Sequence, residues 1–304
     1  MLKSKLYPAI IAIIIAGATV TTSCKKKETA PTPTPTTTVD DDQSGASASN
    51  KAEEISSDIV SMGSEACDKQ NGTLSSYRTS ETSLLSCATV AADTVNKIIT
   101  VTFNGNACLD GKTRTGSLIY NYSASPAGAR RYRNPGFSVT VTSNNYAVDN
   151  NTVTITNKTV TNTTPVGFNP LTTNETWNIN ANISVALAGG GNISWSCTRV
   201  KTLLNTATAY TNASTPISWS TARIGITGSA SGTRSNGETY TVNVTNQLIR
   251  DFGGCTIVNR HPFIQGTFVY SPTGKYARTV DYGTGSCDLN ATVTINGVTY
   301  PFTL

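Results

Sequence analysis

The sequence predicts an all-β protein: a long antiparallel meander forming a sandwich, a barrel or a half-open barrel, with one short helix ahead of it. Three observations predict it. Apolar and polar residues alternate with a period of two from about Ser83 to the carboxyl end. Turn-forming pairs such as Asn236-Gly237 and Asn296-Gly297 separate the alternating runs. No helical stretch lies between any two runs, so parallel strands joined by crossover helices are excluded.

The chain begins with a segment that is not part of this body. Lys3 and Lys5 precede an apolar run from Leu6 to Val20, and the small residues Thr21, Thr22 and Ser23 lead to Cys24. That order predicts a signal peptide over residues 1–23. Residues 24–50 are Cys24 and a stalk: KKKETAPTPTPTTTVDDDQSGASASN (25–50) holds alternating Thr-Pro, a three-Asp run and small polar residues, none of which supports a core. Such spacing extends the chain by about 3.1 Å per residue. Residues 51–82 are a lead-in, helical over 51–66, where Ile55, Ile59 and Met62 recur at helical spacing.

The β domain spans 83–304. Its clearest strand carries Trp177, Ile179, Ala181, Ile183, Val185 and Leu187 on one face and Asn178, Asn180, Asn182 and Ser184 on the other. A second strand, with Ile193, Trp195 and Cys197 on one face, follows the Gly189 to Gly191 turn. Tyr240, Val242 and Val244, then Val293 and Ile295, then Val298, Tyr300 and Phe302 continue the pattern. Further turns fall at Asp149-Asn150-Asn151 and at Ser271-Pro272-Thr273-Gly274. Strands with one apolar and one Thr/Asn/Ser face suit a sheet curved over its own core.

Composition agrees. The 304 residues are 38% hydrophobic with 24 glycines but only 13% charged, which excludes coiled coils and charge-rich disorder. A net charge of +5 comes partly from the leader, and the remaining basic residues form no stripe with interleaved aromatics, so nucleic acid is not an expected partner.

Small residues running into Cys24 resemble the lipobox of bacterial lipoproteins, with Thr21 where the commoner pattern has an aliphatic residue. That resemblance implies acylation, palmitate included, of Cys24 and a membrane anchor made permanent by several chains. The segments VTFNGNACLDGKTRTGS (101–117), RYRNPGFSVTVTSNNYAV (131–148) and TVDYGTGSCDLNATVTINGVTYPFTL (279–304) resemble a family of uncharacterised Gram-negative lipoproteins with a β-rich body. The family implies an outer-membrane address, on the periplasmic face or the cell surface. It implies no catalytic or ligand residues.

Six cysteines remain beyond Cys24, an even number in an exported chain, and three disulfides are expected. A turn at 271–274 pairs Tyr270 with Lys275 and brings Cys287 opposite residue 258, near Cys255. Cys87 and Cys108 flank a hairpin turning near Asp93 to Asn96. Cys67 and Cys197 are left to tie the helix to the sheet.

Chemistry is sparse. His261 is the one histidine, set in His-Pro at a strand start, so a nucleophile-His site has one possible base and no G-x-S-x-G elbow. A glycan hydrolase would draw on Glu175, Glu238, Asp281 or Asp288, of which Glu175 and Glu238 read as solvated acids. No metal site is expected; Asp110, Asp281 and Asp288 are lesser candidates for calcium. Trp177, Trp195 and Trp219 read as core, although an exposed aromatic row would suit sugar stacking. The loop Arg130-Arg131-Tyr132-Arg133 is the best exposed candidate for a protein partner or anionic glycan. The expected function is a non-enzymatic binding or adhesion module needing no cofactor. The alternative is a carrier of lipid or another apolar molecule in a half-open barrel.

Overall fold

The computed structural model describes residues 40–70, 83–212, 215–216 and 221–303. The leader, Cys24, the stalk up to residue 39 and Trp219 lie outside them. A long helix, α1 (Ser44–Gln70), comes first. The strands β1 (Ala88–Asp93), β2 (Ile98–Ala107), β3 (Thr113–Asn121), β4 (Ser138–Val148), β5 (Asn151–Asn162), β6 (Thr176–Ala186) and β7 (Asn192–Leu203) follow. A one-turn helix α2 (Thr206–Ala209) and a small ribbon of β8 (Tyr210–Asn212) and β9 (Thr215–Pro216) interrupt them. The chain then resumes with β10 (Arg223–Arg234), β11 (Thr239–Asp251), β12 (Gln265–Pro272), β13 (Arg278–Thr284), β14 (Asn290–Ile295) and β15 (Val298–Thr303).

Thirteen of these strands form one antiparallel sheet whose spatial order is the chain order, with β7 beside β10. The fold class is thus all-β, as the alternation predicts. In β6 and β7 every second residue is buried, and Trp177 and Trp195 are core residues at 1% exposure each. The turn chemistry holds locally: Val148 pairs with Asn151 across Asp149-Asn150, and Ile295 pairs with Val298 across Asn296-Gly297. Both residues of each turn have positive φ, the two-residue hairpin geometry that matches strand twist.

The sheet curls around α1. In sheet order β3 and β11 are six strands apart, which in a flat sheet is about 29 Å at roughly 4.8 Å per strand. Yet Arg114 at the start of β3 and Arg250 at the end of β11 both reach Asp58 on α1, each at 3.6 Å. Around the helix, Tyr120 (β3) donates to the Ile59 carbonyl at 2.8 Å, Lys158 (β5) to Ser56 at 2.6 Å and Tyr282 (β13) to Asn50 at 2.5 Å. Among the described residues β1 and β15 each pair on one side only, so the barrel is open. Its concavity is filled by the protein's own helix.

This placement explains why the helix is longer than the sequence indicates. It starts at Ser44, seven residues before the expected boundary, inside the segment read as stalk. Gly45, Ala46, Ala48 and Ser49 give no apolar stripe, but they are buried inside the barrel. A Cβ at Gly45 would meet the Tyr270 ring, and one at Gly63 the rings of Tyr120 and Tyr132. Small residues let the helix fit among the aromatics, and that requirement has no local signature. Asp42 starts the helix by accepting from the Ser44 amide at 3.0 Å.

Two of the three expected disulfides are present: Cys87–Cys108 (Cα–Cα 4.8 Å) and Cys255–Cys287 (5.3 Å). The second bridge forms on a shifted register, since Tyr270 pairs with Arg278 rather than with the expected Lys275, behind a wider turn. The third pair is a correction: Cys67 and Cys197 are buried and not joined. Cys197 is beside Glu53 and Lys158, whereas Cys67 lies fourteen residues further along the same helix, about 21 Å at 1.5 Å per residue. Disulfide Cα atoms must approach within roughly 7 Å. Alkylation of the unreduced body is therefore expected to label neither thiol in the native state and both, beyond Cys24, after denaturation. Labelling of neither after denaturation would restore the third bridge.

Candidate functional site

The two disulfides staple two loops that meet each other beside α1, and this line of contact is the seam. The loop after β2 carries Cys108, Asp110 and Lys112, and the loop after β11 carries Cys255, Arg260 and His261. Asn259 donates to the Leu109 carbonyl at 2.8 Å and Arg260 Nε to the Asp110 carbonyl at 3.0 Å. Beside this lacing a polar cleft of about 220 Å³ opens over the outward stripe of α1. Ser47, Lys51 and Glu54 form its floor, and Lys112, Asp149 and Arg260 its walls. A recess of about 30 Å³ adjoins it, sharing Glu54, Lys112 and Arg260 and reaching His261.

The cleft offers ammonium, guanidinium, carboxylate and hydroxyl groups close together, with no aromatic side chain lining it. It can recognise a polar ligand by hydrogen bonds and paired charges. It lacks a stacking surface for a sugar ring. Beneath it Asp58 is the electrostatic hub, 3.0 Å from Lys112 and within ion-pair distance of Arg114 and Arg250. Asp110 binds Arg114 through both oxygens at 2.9 and 2.6 Å, a bidentate pair in a fully buried site.

His261 is buried in the recess. Its Nδ1 is 2.8 Å from the Cys255 carbonyl, and because a carbonyl only accepts, Nδ1 carries the hydrogen. Its ring packs on Phe252 with centroids 4.6 Å apart. The histidine thus braces the loop that carries the second disulfide.

The other sequence-derived candidates are dispersed. Arg130 is exposed and Arg131 partly so, but Tyr132 and Arg133 are buried, with Arg133 2.6 Å from Asp68 in the last turn of α1. The loop read as an exposed basic patch is a clamp on the helix end, favourable because a cation there complements both Asp68 and the helix carbonyls. Glu175, read as solvated, is fully buried and accepts from Asn162 at 2.8 Å. Glu238 stands between Arg234 (3.3 Å) and Lys275 (2.5 Å); burial works against ionisation, yet hydrogen bonds from those two cations hold its carboxyl below the usual range. Asp281 and Asp288 accept from the nearby amides of Gly283 and Asn290. Among the described residues no three His, Cys, Asp or Glu side chains cluster to hold a metal, and Asp110 is committed to Arg114. The tryptophans at 177 and 195 face inward, which removes them as a sugar-stacking row.

Sequence reasoning passed over Glu53, Asp58, Lys158, Arg199, Lys201 and Arg250. A signal existed for some. Arg199 and Lys201 continue the odd-numbered inward face of Ile193, Trp195 and Cys197, so both had to point into the barrel.

No protein-family model matches the chain, and neither a curated protein nor a solved structure matches it.

Proposed function

We propose that the protein is a lipid-anchored, non-enzymatic binding or adhesion module of the outer membrane, contacting a glycan or protein ligand through the polar seam cleft. The observation that carries this reading is the occupied concavity. With α1 filling the barrel, the concavity is closed to a ligand, which is left the cleft with the loops around it and the outer strand faces, where a shallow depression of about 310 Å³ lies over β7, β10 and β11. The cleft's mixed charges and hydroxyls favour a polar partner. Acylation of Cys24 and the outer-membrane address rest on residues 1–24 and on the lipoprotein resemblance.

A carrier of apolar cargo is the second reading, favoured by the openness of the barrel and by a helix of small residues that could withdraw. It requires α1 to leave, since the cavity against the helix that has a mainly apolar wall is only about 20 Å³, far below the several hundred Å³ of a ligand site.

The test is binding of the full chain to immobilised polysaccharides and extracellular proteins, comparing wild type with Lys51→Glu/Glu54→Lys. The module predicts specific binding that the exchange reduces at least tenfold while the melting temperature holds. Binding unaffected by the exchange, or no binding at all, contradicts it. Fatty-acid labelling and membrane fractionation of Cys24→Ser test the anchor separately, with loss of both expected.

A further inference from the structure

A small cavity of about 20 Å³ lies between α1 and the inner faces of β6, β7, β10 and β11. Ile224 and Ile226 give it an apolar side, and Arg199, Lys201 and Arg250 bring three cations to it, with Glu53 the one carboxylate in its wall. All three cations are buried. Arg199 spends Nε and Nη2 on Glu53, at 3.1 and 2.7 Å, while its Nη1 has no hydrogen-bond partner among the described residues. Arg250 reaches Asp58 through Nη1 at 3.6 Å, and its Nε likewise has no such partner.

Two orphaned guanidinium nitrogens at one cavity are costly, because a buried charged donor without an acceptor forfeits its solvation. The imbalance extends through the interior: buried arginines and lysines outnumber buried carboxylates seven to five among the described residues. A water molecule could donate to the Ser56, Ser57 or Ser61 hydroxyls in the wall, but it brings no charge to set against the cations. An anion only accepts. The volume admits one small sphere, which fits a monatomic ion and excludes phosphate or a carboxylic acid.

We propose that this cavity is a halide site, in which one chloride ion accepts from Arg199 Nη1 and Arg250 Nε beside the Lys201 ammonium and so fastens α1 to β7 and β11. Burial pushes the Lys201 ammonium down to about 7, and an adjacent anion opposes that shift. A ligand that binds only the folded chain also stabilises it, by an amount that grows with the logarithm of its concentration once that exceeds Kd.

The experiment uses the folded chain in sodium chloride, sodium bromide and sodium gluconate at equal ionic strength. Melting is expected at a higher temperature in both halides than in gluconate, and crystals grown in bromide are expected to show an anomalous peak between Arg199 and Arg250. Lys201→Met should weaken the apparent halide affinity at least tenfold, and Ile226→Phe, which fills the cavity and keeps the charges, should abolish the peak. If either variant fails to fold, the wild-type measurements decide. Equal melting in chloride and gluconate, no anomalous peak, or bromide only at exposed lysines would overturn the proposal.

Discussion

Asp58→Ala is expected to lower stability by about 3–5 kcal/mol, the usual cost of breaking a buried ion pair by removing one partner. The reason is concentration of charge. Asp58 is nearly buried and is shared by Lys112, Arg114 and Arg250. Arg114 keeps Asp110 when Asp58 is lost, but Lys112 and Arg250 are left facing each other in a poorly solvated place. The same carboxylate joins strands from opposite sides of the barrel to the helix, so the loss should cooperatively loosen all three. Thermal or urea denaturation measures it. Asp58→Asn should cost nearly as much, because charge rather than volume is removed. Adding Arg250→Met to Asp58→Ala should recover part of the loss, a coupling that a double-mutant cycle resolves. A loss below about 1 kcal/mol would mean that the hub is solvated and carries little.

Lys158→Met is expected to act in the opposite direction, raising stability at pH 7 by on the order of 3 kcal/mol. Lys158 is fully buried, donates to Ser56, and has no carboxylate within ion-pair distance among the described residues. Burial pushes its ammonium down to about 8, only partly offset by the fields of Cys197 and Glu53, and burial likewise takes Lys201 to about 7. Lysine in the unfolded chain titrates near 10.4, as a rough reference. The unfolded chain therefore holds more protons than the folded one above pH 7, so stability rises with pH. The rise is limited from above. Burial pushes the Cys67 and Cys197 thiols up, Cys197 to about 12, while unfolded thiols ionise from about 8.5. Those groups make stability fall at higher pH. The wild type should thus gain stability from pH 7 to a maximum near pH ~9, where the buried tyrosines Tyr120, Tyr132 and Tyr282, also pushed up by burial, join the thiols, and Lys158→Met should flatten the gain. Destabilisation by Lys158→Met would show that the Ser56 bond outweighs the burial cost.

What the sequence made legible follows from range. Strand alternation and two-residue turns are local, so the meander, the inward tryptophans and the Asp149-Asn150 and Asn296-Gly297 hairpins could be read directly. Cys87–Cys108 and Cys255–Cys287 join positions that hairpin geometry already brings close. The pairing of Cys67 with Cys197 was assigned by elimination, and α1 separates the two by several turns. The burial of Gly45, Ala46, Ala48 and Ser49 depends on strands that come more than a hundred residues later and curl around the helix. The buried cations were partly legible: Arg199 and Lys201 continue the inward alternation of β7, whereas Lys158 turns inward only through the bulge between Ile155 and Asn157, which reverses the parity of β5. The helix residues that meet them and the neighbouring Arg250, namely Ser56, Glu53 and Asp58, were not, because a helix contacted from many sides gives its acids no polar face to mark them. The cleft was illegible for the same reason. It is assembled from α1, two stapled loops and a hairpin turn.

Amide hydrogen exchange across α1 tests most directly whether the helix occupies the barrel. If it does, the amides from Ile55 to Ala66 exchange only through global unfolding, with the same protection as the central strands β6 and β7. Exchange of those amides orders of magnitude faster than β6 and β7, as in a helix resting on the outside or leaving freely, would contradict the account and favour a carrier whose cavity opens by withdrawal of α1.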